Sequence, residues 1–317
     1  MPSVNQALLD LRITAYCVVV CHDAGAANII MTEQSAHNFP AQAYVLSGPA
    51  LTAWQAKVPA NKLVKQLAPY LKQAQLCFTG TGWSSENETN AIKMALATHT
   101  PVISLVDHWV NYQDRFTRND LYVLPDAIIV TDDYAYNQAQ QVLAERPIWQ
   151  IDNLYLAQSA QQIMRLSEGY VSRSNILYLA EPVRVEWDKA HAHICAEYQG
   201  LALMLYHLSN TLSVDKSQQY TIRIRPHPSE DPHFYNRFIA LAKAQHPHLV
   251  VKLDDSPNIQ VSIARANRVY GLESFAMVLA MSSGKDVYST LPPWAHTARL
   301  PHPQLQHLAQ MYPNFNC

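Results

Sequence analysis

Short apolar runs alternate with longer helical patterns along the whole of this 317-residue chain. In its first half the predicted strands are residues 15–21, 42–46, 76–78, 102–106 and 127–131, and the predicted helices are residues 26–38, 61–74, 88–98 and 134–144. The strands are continuous apolar runs, which is typical of parallel strands buried on both faces. Strands that alternate with helices in this way predict a parallel sheet covered by helices.

The second half of the chain repeats this pattern. Its predicted strands are residues 176–180, 220–224, 249–252, 268–270 and 286–289, and its predicted helices are residues 187–212, 234–245, 259–266, 274–282 and 301–317. The polar stretch 152–174 contains no strand pattern, so we place the domain junction there. The sequence therefore predicts an α/β protein with two doubly wound Rossmann-like domains, residues 1–160 and 161–317, that face each other across a ligand cleft.

Composition excludes several classes of function. Lys and Arg number 23 and Asp and Glu number 25, so the chain has no basic field that would bind nucleic acid. The first ten residues lack the segments of a signal peptide, and the longest apolar runs are too short to cross a membrane. The 5 cysteines form no CxxC pair, which favours a reducing, cytoplasmic location. A peripheral contact with the inner membrane surface is compatible with this composition.

Polar residues follow the first predicted strand. His22 and Asp23 end it, and Asn28 lies in the opening turns of the next helix, after the small residue Gly25. Small residues there let a ligand approach backbone N–H groups at a helix N-terminus. We predict that His22 and Asn28 contact substrate and that Asp23 is a candidate base. The alternative is a tight turn in which Asp23 or Asn28 caps the helix, and no GxGxxG fingerprint is present.

The segment after the third predicted strand, residues 79–88, is rich in hydroxyl groups. It is interpreted as a loop that faces a sugar or a phosphate. Within it Ser84 is a candidate substrate contact and Glu86 is a further candidate base. The alternative is that Glu86 and Glu88 only stabilise the positive end of the following helix.

The segment after the fourth predicted strand, residues 107–116, combines aromatic and polar side chains. Flat apolar rings beside directed hydrogen-bonding groups are what a carbohydrate-binding surface needs. The candidate substrate contacts are His108, Trp109, Asn111 and Arg115, and Asp107 is our first choice for the general base. The alternative is a surface turn that is anchored by a buried Trp109.

A rigidly held histidine follows a strand in the second half. Prolines flank His227 on both sides in the sequence Arg225-Pro226-His227-Pro228, and they restrict the backbone there. The guanidinium of Arg225 and the imidazole of His227 are suited to phosphate oxygens. His227 is also a candidate acid that protonates a departing phosphate. The alternative is a loop histidine that prolines hold only for turn geometry.

Two further strand ends complete the predicted nucleotide site. Glu181 follows the first strand of the second half, and the sequence Gly271-Leu272-Glu273-Ser274 lies where a later strand runs into a helix. Ser274 at the start of that helix is a candidate phosphate seat. The alternative is that Ser274 is only the helix N-cap.

Other chemical motifs are weak in this sequence. The histidines and cysteines have no metal-ligand spacing, so we predict no metal site. The pair Asp254-Asp255 is interpreted as a solvated turn. No GxSxG elbow is present, which argues against a hydrolase of that type.

The Arg-Pro-His-Pro strand end followed by Gly-Leu-Glu-Ser resembles the C-terminal half of bacterial GT-B glycosyltransferases with an HP motif. These include CMP-sialic acid-dependent sialyl- and polysialyltransferases and CMP-Kdo transferases, and residues 175–290 carry the resemblance. It implies a GT-B-like fold in which His227 and Pro228 contact the nucleotide phosphate, with His227 as the acid. It also implies that Ser274 binds phosphate.

The resemblance implies a glycosyltransferase that moves a sialic acid-like or Kdo-like sugar from a CMP donor to a surface glycan, without a metal or other cofactor. Residues 161–317 would hold the nucleotide sugar, and residues 1–160 would hold the acceptor and the base. The sequence shows no clear acidic-acidic-Gly motif of that family, so the choice of base stays open among three carboxylates, with Asp107 first and Asp23 and Glu86 behind it. A UDP-sugar transferase or hydrolysing UDP-sugar 2-epimerase, with Glu273 at the ribose, is the first alternative. A non-catalytic glycan-binding protein is the second.

Overall fold

The chain divides into two compact units between Tyr155 and Leu156. The computed structural model describes residues 16–37, 41–82, 85–170, 174–183, 196–212, 219–228, 230–296 and 298–315. The predictions for Ser84, for the first ten residues and for the start of the helix over 187–212 lie outside the described residues. Each unit is built on its own six-stranded parallel sheet.

The first unit has the strand order β2-β1-β3-β4-β7-β8. Its strands are β1 (Cys17–Cys21), β2 (Ala41–Leu46), β3 (Leu76–Thr79), β4 (Val102–Leu105), β5 (Thr117–Arg118), β6 (Leu121–Tyr122), β7 (Ala127–Val130) and β8 (Ile148–Gln150), of which β5 and β6 form a separate antiparallel pair. Its helices are α1 (Ala24–His37), α2 (Gly48–Trp54), α3 (Ala68–Leu71), α4 (Asn87–Ala97) and α5 (Asp133–Val142), with 3-10 turns at Ala60–Lys62 and Asp114–Phe116.

Apolar side chains on both faces of the first sheet explain why it is buried. Every residue of β1, β3, β4 and β7 is buried. Helix α1 packs Ala26, Ile29 and Ile30 into this core. The burial of β-branched residues on both faces is the general property of a parallel sheet between helical layers.

The second unit has the strand order β11-β10-β9-β12-β13-β14. Its strands are β9 (Asn175–Leu179), β10 (Tyr220–Arg225), β11 (Leu249–Leu253), β12 (Arg268–Gly271), β13 (Asp286–Ser289) and β14 (Gln306–His307). Its helices are α6 (Leu154–Ser167), which begins just before the division, α7 (Ala196–Thr211), α8 (Asn236–Gln245), α9 (Ile259–Ala264), α10 (Phe275–Ser282) and α11 (Leu308–Met311), with a 3-10 turn at Pro232–Tyr235.

Aromatic stacking supplements aliphatic packing in the core of the second unit. The rings of Tyr270 and Tyr288 on adjacent strands stack with centroids 4.8 Å apart. The ring of His207 on α7 packs against Tyr288 at 5.1 Å, and burial lowers the pKa of this histidine. These contacts fix α7 over β12 and β13, because offset aromatic pairs contribute beyond their buried area.

The two doubly wound parallel sheets confirm the predicted fold class. In both units the chain crosses over so that strand order reverses, between β1 and β3 in the first and between β9 and β12 in the second. Crevices at the carboxyl ends of the strands beside such a reversal are the usual ligand sites of open α/β sheets.

Several predicted elements differ from those in the structure. The helix predicted over 61–74 is reduced to a 3-10 turn and to α3, because Leu63 is extended and Pro69 is tolerated only in a first helical turn. Helix α6 fills the stretch that we interpreted as a polar junction. Strands β8 and β14 are too short to give a periodic signal. Within residues 301–315 of the predicted final helix, Leu308–Met311 is the helical segment.

Among the described helices, none has both the length and the apolar character that crossing a bilayer requires.

Replacing Gly271 with alanine should destabilise the second unit, because there is no room for a methyl group at the end of β12. The added Cβ would lie 2.9 Å from Sδ of Met277 and 3.1 Å from the carbonyl oxygen of Leu179. We expect a loss of about 1–3 kcal/mol, as for other overpacked sites. Gly169→Ala is the control, because its added Cβ would meet only the Leu166 carbonyl oxygen at 3.5 Å. Equal melting temperatures for the two variants would contradict this packing.

Candidate functional site

The strand reversal of the first unit gathers acidic and glycine residues at one edge of the sheet. His22 and Asp23 follow β1, Gly80 and Gly82 follow β3, and Asp107 follows β4. The structure therefore brings the candidate bases Asp23 and Asp107 to one edge, as predicted from their positions after strands.

Asp107 is held from two sides. Its Oδ1 accepts a hydrogen bond at 3.1 Å from Nη1 of Arg115, and the two side chains are 13% and 5% exposed. Its Oδ2 lies so close to Gly25, in the first turn of α1, that a Cβ on this residue would be 2.2 Å away. Gly25 is therefore required for close approach of the carboxylate to the positive end of the helix.

The buried guanidinium of Arg115 makes its hydrogen bonds to neighbouring groups of the same unit. In addition to Asp107, its guanidinium donates to the backbone carbonyls of Val110 and Thr81 and to the Thr81 hydroxyl. The side chain thereby ties the loop after β3 to the loop after β4. Arg115 was predicted as a substrate contact, and in this structure its nitrogens serve to hold Asp107 in place.

Glu88 is a buried acid that the sequence analysis did not select. It lies in the first turn of α4 and is 2% exposed. Its Oε1 accepts a hydrogen bond of 2.6 Å from the backbone N–H of His22, and its Oε2 has no partner within the described part of the chain. Burial raises the pKa of Glu88 to about 7. Glu88 is therefore a carboxyl group that is available as an acid near neutral pH.

Asp23 and Glu88 lie on the same side of Gly82. A Cβ on this glycine would be 3.0 Å from Oδ2 of Asp23 and 3.1 Å from Oε1 of Glu88. Burial, followed by the negative charge of Asp107, raises the pKa of Asp23. Gly82 thus leaves space beside two carboxyl groups that hold protons more tightly than ordinary ones.

His22 belongs to a small hydroxyl network at the same edge. Its Nδ1 lies 3.0 Å from Oγ of Ser47, and the Asn87 side chain donates to the same hydroxyl at 2.6 Å. Ser47 is the N-cap residue of α2, yet its side chain makes no capping bond there. Sequence reasoning missed Ser47 and Asn87, because a serine before a helix normally indicates only a cap.

Two further candidates of the first unit, Asn28 and Trp109, make hydrogen bonds within the unit. Asn28 accepts a hydrogen bond of 2.8 Å from Nε1 of Trp54. Trp109 is 3% exposed, and its Nε1 donates to Asp132 at 2.8 Å. This burial favours the alternative in which Trp109 anchors the turn.

Three more candidates of the first unit are placed in that turn or near it. The ring of His108 packs on its neighbour Trp109, with centroids 5.4 Å apart. Asn111 takes a left-handed backbone conformation with φ of 59°. Glu86 is exposed and accepts from the side chain of Asn119 at 3.2 Å. Glu86 thus sits outside the group formed by Asp23, Glu88 and Asp107.

The strand reversal of the second unit places Glu181 against the start of α10. Its Oε1 accepts hydrogen bonds from the backbone N–H groups of Leu272, Glu273 and Ser274 at 3.1, 2.9 and 3.0 Å. Burial raises the pKa of Glu181 to about 7. Ser274 is the N-cap residue of α10 without a side-chain capping bond, so the Glu181 carboxyl performs that role.

Glu273 is bound by the segment that follows β13. It accepts from the backbone N–H and from Nε of Arg299 at 2.9 and 3.1 Å, and from Nε2 of His296 at 2.9 Å. Burial opposes ionisation of Glu273, but the hydrogen bonds from Arg299 and His296 outweigh it and lower its pKa. Glu273 therefore carries a charge that is compensated within the second unit.

The Arg-Pro-His-Pro segment ends β10, as predicted. Arg225 pairs with Asp254 at 2.8 Å. The backbone N–H of His227 donates to Glu230 at 3.1 Å, and burial lowers the pKa of the imidazole despite the charge of Glu230. Pro228 is exposed.

The interpretation of Asp254-Asp255 as a solvated turn is wrong for one of its two residues. The side chain of Asp254 is 0% exposed, whereas that of Asp255 is 61% exposed. Asp254 is buried because two guanidinium groups, of Arg223 and Arg225, bind its carboxylate. Among the described residues no group of three or more His, Cys, Asp or Glu side chains is arranged to hold a metal ion.

No family model matches the chain, and no curated protein matches it. Solved structures do match. The UDP-GlcNAc 2-epimerase from Neisseria meningitidis bound to UDP-GlcNAc superposes with a TM-score of 0.58 at 11% identity, covering 90% of this chain and 84% of that one. The UDP-GlcNAc 2-epimerase from Methanocaldococcus jannaschii in complex with UDP-GlcNAc and UDP superposes with a TM-score of 0.59 at 8% identity, covering 95% of this chain and 94% of that one.

A third similar structure is S. aureus MnaA with UDP, with a TM-score of 0.59 at 10% identity, covering 91% of this chain and 81% of that one. Likeness at such identities shows the fold. That fold is two GT-B-like, Rossmann-like domains, and the likeness does not single out the CMP-dependent transferases with an HP motif.

The pKa of Glu88 predicts a pH-dependent stability. A carboxyl group whose pKa is raised on folding stabilises the native state most below its unfolded value and loses this contribution as pH rises through the folded value. The pKa of Glu88 shifts from 4.5 to about 7 on folding. Between these pH values the free energy of unfolding of the wild type should therefore fall by on the order of 3 kcal/mol relative to that of Glu88→Gln.

Urea denaturation of both proteins at pH 4.5 and 7.5 measures this difference. Glu86→Gln is the matched control, because Glu86 is exposed and lies just before the same helix. A constant difference between wild type and Glu88→Gln across this range would show that Glu88 ionises normally.

Proposed function

We propose that the chain is a nucleotide-sugar enzyme that acts on a UDP-activated sugar, as a hydrolysing 2-epimerase does. The observation that carries this proposal is the presence of carboxyl groups in unlike surroundings at one edge of the first sheet. Asp107 is ion-paired with Arg115, whereas Glu88 forms no ion pair with the described residues and burial raises its pKa to about 7. Carboxyl groups whose surroundings separate their proton affinities are the usual mark of an acid and a base. The fold neighbours whose names include UDP-GlcNAc 2-epimerase support the same class.

The chemistry of 2-epimerisation matches these groups. Inversion at C2 of a sugar requires that the C2–H bond break and that a proton return to the opposite face. In a hydrolysing enzyme the bond from C1 to the UDP oxygen also breaks, and water supplies the hydroxyl at C1. We assign the base role to Asp107 and the acid role to Glu88, whose pKa burial raises to about 7. Asp23 lies beside Glu88 at Gly82, and burial and the charge of Asp107 raise its pKa, so it is the second candidate acid.

We assign nucleotide binding to the second unit. Arg225 and His227, at the end of β10, are proposed to meet phosphate oxygens, and Pro228 to fix the turn behind them. Ser274 contributes its hydroxyl, which has no partner among the described residues. The ends of β9 and β12, where Glu181 and Gly271 lie, form the ligand side of this sheet.

A second candidate function is transfer of an acidic sugar from a CMP donor to a glycan acceptor at the membrane surface. The specific observation in its favour is that the Arg-Pro-His-Pro segment lies at the carboxyl end of β10, as the resemblance to transferases with an HP motif implies. In this candidate Asp107 removes the proton of an acceptor hydroxyl, and His227 stabilises the leaving phosphate.

A nucleotide panel separates the candidates. A ligand that binds only the folded state raises the melting temperature. We expect UDP and UDP-GlcNAc to raise it, and CMP and CDP to leave it unchanged. A shift with CMP alone would replace the proposal by the second candidate. A shift with none of them would indicate a non-catalytic glycan-binding protein on the same fold.

Replacing Asp107 with asparagine should abolish most of the turnover. Loss of a general base reduces rates by about 10²–10⁴-fold, so we expect release of UDP from UDP-GlcNAc to fall at least about 100-fold. Asp114→Asn is the control, because this aspartate is exposed and lies in the same segment of the chain. Similar turnover in the two variants would remove Asp107 from the mechanism.

A further inference from the structure

Arg225 is anchored through only one of its guanidinium nitrogens. Its Nη1 donates to Oδ2 of Asp254 at 2.8 Å, to Oγ of Ser262 at 2.7 Å and to the carbonyl oxygen of Ser256 at 3.2 Å. Its Nε and Nη2 make no hydrogen bond to the described residues, and the side chain is 26% exposed. The guanidinium thus has one fixed end and one open edge with two parallel N–H donors.

Asp254 is the centre of this anchor. Its Oδ1 accepts from Nη1 of Arg223 at 2.6 Å and from Ser256 Oγ at 2.8 Å, and its Oδ2 accepts from Arg225 and from the hydroxyl of Ser262. Burial opposes ionisation, but hydrogen bonds from Ser262, Arg225 and Ser256 and the charge of Arg223 lower the pKa of Asp254 to about 2. The Asp254 carboxylate therefore stays charged at neutral pH.

The charges of this cluster do not cancel. One carboxylate, Asp254, is shared by two guanidinium groups, so the group of three carries a net positive charge. Arg223 is 1% exposed, and its Nη2 donates to the Ser262 carbonyl at 2.9 Å, so its role is internal. Of these three described side chains, Arg225 is the one that reaches solvent, with 26% exposed. A guanidinium edge of this kind matches two oxygens of a phosphate in a bidentate contact.

We propose that Asp254 is a positioning residue that fixes Arg225 for a bidentate contact with a phosphate group of the nucleotide. This inference rests on the proposed nucleotide-binding function of the second unit. The flexible stem of an arginine loses rotamer entropy when it binds, and an anchor that fixes the stem beforehand removes that cost from binding. Asp254 acts through Arg225 and does not itself touch the ligand.

The neighbouring residue Asp255 provides a matched control. It carries the same charge and follows directly in sequence, but it is 61% exposed and binds Lys252 and Arg265 at 3.3 and 2.8 Å. An aspartate-to-asparagine change at either position removes one negative charge from the same turn. Only the change at Asp254 releases Nη1 of Arg225.

Calorimetric titration of the full chain with UDP tests the proposal. We expect Asp254→Asn to weaken UDP binding by about tenfold, and Asp255→Asn to change it by less than about twofold, because breaking a buried charge pair costs far more than breaking an exposed one. The further measurement is a double-mutant cycle. In the Arg225→Ala background, Asp254→Asn should cause no additional loss of affinity, whereas a merely structural role would add its own loss.

Ser262→Ala is the milder variant if Asp254→Asn does not fold. It removes one acceptor of Arg225 Nη1 and one donor to Asp254 without a change of charge, and it should weaken UDP binding about threefold. Wild-type protein that binds UDP, together with unchanged affinity in Asp254→Asn or Ser262→Ala, would overturn the positioning role alone. Wild-type protein that binds no UDP would overturn the proposed function and this inference with it.

Discussion

The reversal of strand order in each parallel sheet is the constraint on which the rest of the structure depends. Where neighbouring strands send their connections to opposite faces, their carboxyl ends leave a crevice that helices do not fill. In the first unit this reversal between β1 and β3 collects Asp23, Glu88 and Asp107. In the second unit the reversal between β9 and β12 collects Glu181 and the N-terminus of α10. The strand order of each sheet thus determines where these polar side chains lie.

Electrostatic surroundings then separate carboxyl groups that are chemically alike. Asp107 faces the guanidinium of Arg115 and the start of α1. No cation of the described chain segments pairs with Glu88, and burial raises its pKa to about 7. The same principle operates in the second unit, where Asp254 between two guanidinium groups has a pKa of about 2. A buried carboxylate keeps its charge only where hydrogen-bond donors or cations replace the lost water. The direction in which the pKa of each buried carboxyl group shifts therefore depends on the groups that contact it.

Much of the fold could be predicted from the sequence, because buried parallel strands have a distinctive pattern. Apolar runs located the long strands, and the positions just after them contained Asp23, Asp107, Glu181 and His227. The sequence could not predict which of two nearby acidic residues is buried. Glu86 and Glu88 are the same residue type two positions apart at the start of α4, yet Glu88 is buried against Gly80 and Gly82 of the loop after β3 and Glu86 is exposed. Asp254 and Asp255 differ for the same reason, because Arg223 and Arg225 come from another strand.

The most direct test of the central claim is turnover of UDP-GlcNAc in D₂O, followed by proton and phosphorus NMR. Proton removal from C2 by a carboxylate at the first sheet edge predicts released UDP and a product sugar that is inverted at C2 and carries deuterium there. Release of UDP with the original hydrogen retained at C2 would contradict acid–base chemistry at that carbon, and so would unchanged UDP-GlcNAc.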